Sequence, residues 1–178
     1  MAVLAIRTFG DPVLRSPATD VQEITEIHQR LIADMFDTMR DAPGVGLAGP
    51  QVGVMERIFV YEASEDDSGV LINPKIVNRS GETEIDDEGC LSLPGLFYPV
   101  ERSTSIVVEA LDEKGEPVTI AASDYKARIF QHEIDHLDGV LFIDRLTDED
   151  RRDALRALRD QALGFPSVPV AGHGEDTF

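Results

Sequence analysis

Residues 131–139 read Gln-His-Glu-Ile-Asp-His-Leu-Asp-Gly, and no other stretch restricts the fold as tightly. On a helix, His132 and His136 lie one turn apart, offset by about 40° around the axis, so both imidazoles project from one face. Two ligands on one face can bind one metal ion, and Glu133, beside the first histidine, can reach a water held there as general base. Ile129, Phe130, Ile134 and Leu137 surround these polar residues, so the helix is at least half-buried. A chance match on a solvated helix is the competing reading, and the apolar neighbours weigh against it.

Two histidines leave the third ligand open. The metzincin pattern HExxHxxGxxH runs through Gly139 and then fails at Phe142, whose ring cannot bind a metal. A gluzincin needs a downstream glutamate, and only Glu149, near a helix start, and Glu175, near the chain end, follow the motif. His28 falls among the polar positions of an early helix and His173 in a Gly/Pro-rich stretch, so both read as solvated. Cys90 is the remaining donor: a thiolate with two imidazoles suits a borderline-soft divalent ion and leaves a fourth position for water. Taken alone, a single cysteine is better read as a small buried hydrophobe, here in an ordered turn, DDEGCLSLPG, at 86–95.

The chain of 178 residues suits one domain, and 42% hydrophobic with 28% charged residues is globular composition. A lone cysteine precludes an internal disulfide and suits a reducing cytosol. The net charge of −18 argues against nucleic-acid partners, because such a surface repels phosphate backbones. No apolar run reaches bilayer length, and the first residues lack the pattern of a signal peptide, so a cytoplasmic protein is expected. Ile27, Leu31, Met35 and Met39 recur every four residues and predict a helix from Thr25 to Arg40, stopped by Pro43. The segment GVGLAGPQVG at 44–53 reads as an ordered glycine-rich loop. Strands are expected at 57–61, 70–78, 103–111 and 117–121, with an acidic loop at 62–69 and a hairpin turn at 112–115. Ser123 or Asp124 caps the helix that carries the histidines, and Gly139 ends it. A charged amphipathic helix follows from Asp148 to Leu163, carrying Leu155, Leu158 and Ala162. The fold class is therefore α+β: the HExxH helix packed within antiparallel or mixed β-sheets, plus an N-terminal and a C-terminal helix. Residues 1–163 form the single domain, and 164–178 an irregular tail.

Three segments together resemble a known family. GVGLAGPQ at 44–51, EGCLS at 88–92 and QHEIDH at 131–136 are similar, in order and separation, to the peptide deformylase motifs GxGxAAxQ, EGCxS and HExxH. The resemblance runs from about Ile6 to Leu163. Gly49 stands where the family usually has alanine, a departure expected to loosen the loop slightly. The resemblance implies an enzyme that hydrolyses the N-formyl group from the initiator methionine of nascent polypeptides, by attack of metal-activated water. It implies Cys90, His132 and His136 as ligands of one divalent ion, ferrous iron first, with zinc, nickel or cobalt as substitutes. Glu133 would then be general base and acid, Gln51 and the Leu91 N–H the oxyanion donors, and Gly46 a contact to substrate backbone. Val45 and Ile129 are candidate walls for the methionine side chain, and Glu88 with Arg102 an ion pair supporting the cysteine loop. In relatives the C-terminal helix can dock on the ribosome near the exit tunnel. Here Arg151, Arg152, Arg156 and Arg159 alternate with acids, which reads better as a solvated face laced with ion pairs.

Overall fold

A computed structural model describes residues 2–165 and Phe178. The first helix, α1, spans Glu26–Asp41, and the His28 ring accepts the Thr25 N–H at 3.0 Å to close its first turn. Its buried stripe is Ile32, Met35, Thr38 and Met39, while Ile27 is 73% exposed. Four-residue steps drift by about 40° each, so a stripe begun at Ile27 has turned about 120° by Met39 and cannot stay on one face. His28 is not solvated either: its side chain is 13% exposed and its Nε2 lies 3.2 Å from Glu56 Oε2.

The glycine-rich segment is more regular than expected. Gly46–Ala48 form a short strand, β1, and Gly49–Val52 a single 3₁₀ turn ended by Gly53 at φ 82°. Gly49 does not loosen it. A Cβ at that position would lie 2.8 Å from the carbonyl oxygens of both Glu56 and Val54, so the missing methyl lets the backbone close in. Strand β2 runs Ile58–Ser64 and β3 Asp67–Arg79, so most of the acidic segment is paired strand rather than loop. The stretch around Cys90 is likewise a hairpin: β4, Thr83–Cys90, turns directly into β5, Leu93–Ser103. β6 (Ser105–Leu111) and β7 (Pro117–Ser123) complete the strands as a second hairpin.

These strands make a five-stranded sheet of order β1-β2-β3-β6-β7 and a two-stranded sheet β4-β5, with every ladder antiparallel. Period-2 alternation divides the large sheet between two helices. Ile58, Val60 and Val70 pack with Met35 and Met39 of α1, whereas Phe59, Tyr61 and Leu71 pack with Ile129 and Phe130 of the next helix, α2. α2 spans Asp124–Leu137, and every residue from Ala127 onward is buried. Helix α3, Asp148–Ala162, lies on the small sheet through Ala154 and Leu158, which cluster with Leu93, Leu96 and Tyr98. Leu155 and Ala162 are exposed, correcting the expected stripe. Among the described residues no helix is long and apolar enough to cross a membrane. The tail reading falls mostly on residues 166–177, outside the described residues, but Phe178 is described and buried.

Gly139 locks the end of α2. It holds φ 74°, and a Cβ there would meet the Arg15 carbonyl oxygen at 2.7 Å. Gly139→Ala should therefore cost about 2 kcal/mol or more, combining left-handed strain with a backbone clash. Urea unfolding of the metal-free protein measures it, and an unchanged midpoint would show that this helix end is not under the stated constraint.

Candidate metal centre

α2 carries six buried polar side chains: Arg128, Gln131, His132, Glu133, Asp135 and His136. Polar groups removed from water must be paired, and most of these are. Arg128 donates to the carbonyls of Val100 at 2.9 Å and Glu84 at 3.0 Å, and to the Glu88 carboxylate at 3.0 Å. Gln131 bridges to the Ser103 backbone. Asp135 accepts from Arg102 and Arg145, each at 2.7 Å. Among the described residues, four buried side-chain atoms have no hydrogen-bond partner: His132 Nε2, both Glu133 oxygens and His136 Nδ1. All belong to the motif read first in the sequence.

Cys90, at the end of β4, meets them. Its Sγ lies 3.3 Å from His136 Nε2, and donor atoms of Cys90, His132 and His136 lie within 4.8 Å of one another. Glu88, two residues earlier, accepts from Arg102 at 2.8 and 2.9 Å and sits 2.9 Å from His132 Nδ1. Burial alone would raise the Glu88 pKa, but the Arg102 charge and hydrogen bonds, with His132, hold it well below the usual carboxylate range. An ionised carboxylate can only accept, so Nδ1 carries the proton and the Nε2 lone pair is left facing the cluster.

The remaining groups are shifted towards their neutral forms. Burial pushes the Cys90 thiol well up. Burial and the Glu88 charge push Glu133 up. Burial and the neighbouring His132 push His136 down. A neutral imidazole is the ligand form, and a divalent cation would favour the thiolate that burial disfavours. The donor set fits such an ion: one sulfur and two imidazoles, with otherwise unpaired polar atoms beside them.

The other expected residues converge here. Gln51 lies in the 3₁₀ turn after β1; its Oε1 accepts the Ala48 N–H at 2.8 Å, so its amide N–H₂ points inward, 3.2 Å from Ser92 Oγ and 3.8 Å from Cys90 Sγ. Gly46 is pressed against Glu133: a Cβ would stand 2.3 Å from Oε1, so only glycine leaves room for that carboxyl. Ile129 is fully buried and Val45 partly buried, in one apolar cluster with Phe178. The Leu91 N–H is already engaged, donating to the Phe178 backbone oxygen at 2.8 Å. Phe142 lies against the His132 ring with centroids 6.2 Å apart. Glu149 is exposed on α3, and Glu175 and His173 lie outside the described residues. Sequence reasoning missed Arg128, Asp135, Ser92, Tyr125 and Phe178. Asp135, inside the HExxH string, and Ser92, closing the EGCLS motif, were the two with a visible signal.

Fold and site together define an α+β domain built around a Cys-His-His cluster that can hold a metal ion. Residues 3–152 match the family model described as polypeptide deformylase. A peptide deformylase of Acidothermus cellulolyticus is 54% identical over 170 residues, covering 96% of this chain and 93% of the relative. The crystal structure of peptide deformylase from Thermus thermophilus superposes with TM-score 0.86 at 46% identity, covering 92% and 97% of the two chains. That of Ehrlichia chaffeensis in complex with actinonin does so with TM-score 0.86 at 38% identity, covering 90% and 98%. The chain belongs to the polypeptide deformylase family, whose members are metal-dependent enzymes that remove the formyl group from N-formylmethionyl peptides.

Arg102 ties the cluster together, being 5% exposed and forked between Glu88 and Asp135. Arg102→Met would leave two buried carboxylates short of a cation and should destabilise the metal-free protein by about 3–5 kcal/mol. Chemical denaturation tests this, and a loss below about 1 kcal/mol would mean that Arg128 and Arg145 suffice.

Proposed function

We propose that this chain removes the N-formyl group from the initiator methionine of nascent polypeptides in the cytoplasm, using one divalent metal ion held by Cys90, His132 and His136. The observation that carries this reading is that, among the described residues, unpaired buried side-chain atoms are confined to His132, Glu133 and His136, beside the Cys90 thiol. When bound, the ion supplies Lewis acidity and lowers the pKa of a water from 15.7 to about 7. Ferrous iron is favoured by family resemblance, with zinc, nickel or cobalt as substitutes, although a thiolate and two imidazoles suit zinc equally.

Glu133 acts as general base, taking a proton from the attacking water and returning it to the leaving amine, a contribution of roughly 10²–10⁴ in rate. Its buried carboxyl, with neither oxygen hydrogen-bonded within the protein, supports that role. The Gln51 amide and the Leu91 N–H receive the carbonyl oxygen as it turns negative, and one such donor contributes about 3 kcal/mol. Gly46 lies on β1, an edge of the large sheet, where an extended peptide can add as a further strand. Backbone pairing of this kind tolerates many sequences, as an enzyme acting on many nascent chains requires. Val45 and Ile129 wall the methionine slot. The arginines of α3 are mostly paired with nearby acids, Arg156 with Asp153, Arg159 with Asp160 and Arg151 with Asp144, which supports a solvated face over a ribosome dock.

Metal-loaded protein should release formate from formyl-Met-Ala-Ser and leave internal peptide bonds intact; the reverse result would make it an endopeptidase. Glu133→Gln should retain one metal ion per chain while turnover falls about 100-fold or more. Cys90→Ser should lose the metal on purification, because a neutral hydroxyl replaces a thiolate. Elemental analysis alongside the formate assay separates the two effects. A fully active, metal-retaining Cys90→Ser protein would remove Cys90 from the ligand set.

A further inference from the structure

Phe178 was not among the residues expected at the site, yet it is 1% exposed and packs against His132 of the centre just described. Its ring stacks on His132, with centroids 5.2 Å apart and planes at 28°, and packs against Tyr125 at 5.6 Å. It belongs to the apolar cluster of Ile129, against which Val45 and Tyr125 pack. Its backbone oxygen accepts the Leu91 N–H at 2.8 Å, and its N–H points to the Gly89 oxygen at 3.4 Å. The two contacts flank Cys90, so Phe178 lies along the end of β4 as a one-residue added strand.

We propose that Phe178 is an internal occupant of the substrate cleft, and that a peptide substrate binds by displacing it. The proposal rests on the reading of Leu91 as an oxyanion donor and of Ile129 and Val45 as walls of the methionine slot. A formylated methionyl peptide needs two things here, an amide donor for its carbonyl oxygen and an apolar slot for its side chain. Phe178 uses both at once, through backbone oxygen and ring. One N–H cannot serve two oxygens at full strength, and one slot cannot hold two large side chains, so occupancy is mutually exclusive. The ring also covers His132, which is 1% exposed, and so keeps water from that side of the cluster until a substrate arrives. The self-contact acts as a competitor at fixed local concentration: it scales apparent affinity down by the fraction of time the cleft is open and leaves the bound complex unchanged.

The signature is a split between KM and kcat. In the metal-loaded chain of 178 residues, Phe178→Ala should lower KM for formyl-Met-Ala-Ser by about threefold or more with kcat within about twofold, and Phe178→Leu should return KM towards the parent value. A residue that merely holds the site in shape would instead lower kcat or stability on truncation. A second readout needs no turnover. The chain has no tryptophan, so Phe178→Trp introduces a single reporter. Its emission should be blue-shifted and poorly quenched by acrylamide, and formyl-Met-Ala-Ser should shift it to the red in a saturable way. An unchanged KM in Phe178→Ala overturns the proposal. So does a buried emission that millimolar peptide does not move. If no variant releases formate but the tryptophan is buried and the peptide displaces it, the deformylase reading fails while the internal occupant stands.

Discussion

Arg102, on β5, sits where the small sheet meets α2, and its two carboxylate partners tie the histidine-bearing helix in place. One side of its fork takes Glu88 from β4 and the other takes Asp135 from α2, at distances of 2.7–2.9 Å. Arg128 reaches the same Glu88 from α2, and Arg145 reaches the same Asp135 from the segment after it. A helix buried this fully can carry charged side chains only if each finds its counter-charge inside. The network thus decides which way α2 is turned. A slip by one residue would rotate the helix by about 100°, carrying Asp135 away from Arg102 and Arg128 away from Glu88.

That orientation is also what makes the centre chemically uneven. Glu88 and Glu133 are both buried carboxylates, yet they are driven apart in pKa. Glu88 has guanidinium partners and is held ionised. Glu133 has none, and burial with the Glu88 charge raises its pKa. Pairs separated in this way divide labour, one fixed as an acceptor and one free to exchange a proton. Glu88 commits its charge to His132 Nδ1 and so directs the opposite ring nitrogen at the thiol and its surroundings. The three donors arrive from two elements, β4 and α2, that meet only because the small sheet closes over a helix already covered by the large one.

Much of this was legible in the residues. The helix with both histidines, its start near Ser123, its end at Gly139 and the α+β class followed from periodicity and punctuation. The three motifs carried the family. Where the reading failed, long-range pairing was the cause. The glycine-rich segment was read as loop because glycine is poor in strand interiors, but β1 is held by β2 and kept bare by the nearness of Glu133. The acidic segment at 62–69 looked like solvent-facing loop, yet β2 and β3 pair through most of it, with only Glu65 and Asp66 left as the turn. Gly49 looked like slack and proved to be a tight fit.

The sequence by itself determined the chemistry available: two imidazoles and a carboxyl on one helical face, one thiol, one amide, and the glycines that let backbones approach. Local spacing carries that information because helical geometry is set within a few residues. Only the tertiary structure decided which donors are left unpaired, which carboxylate stays charged, and that Phe178 shares the cleft with them. Those outcomes depend on burial and on partners dozens of residues away: Gln51 to Ser92, Glu88 to His132, Leu91 to Phe178. Desolvation and pairing are properties of the closed packing, and no stretch of chain possesses them alone.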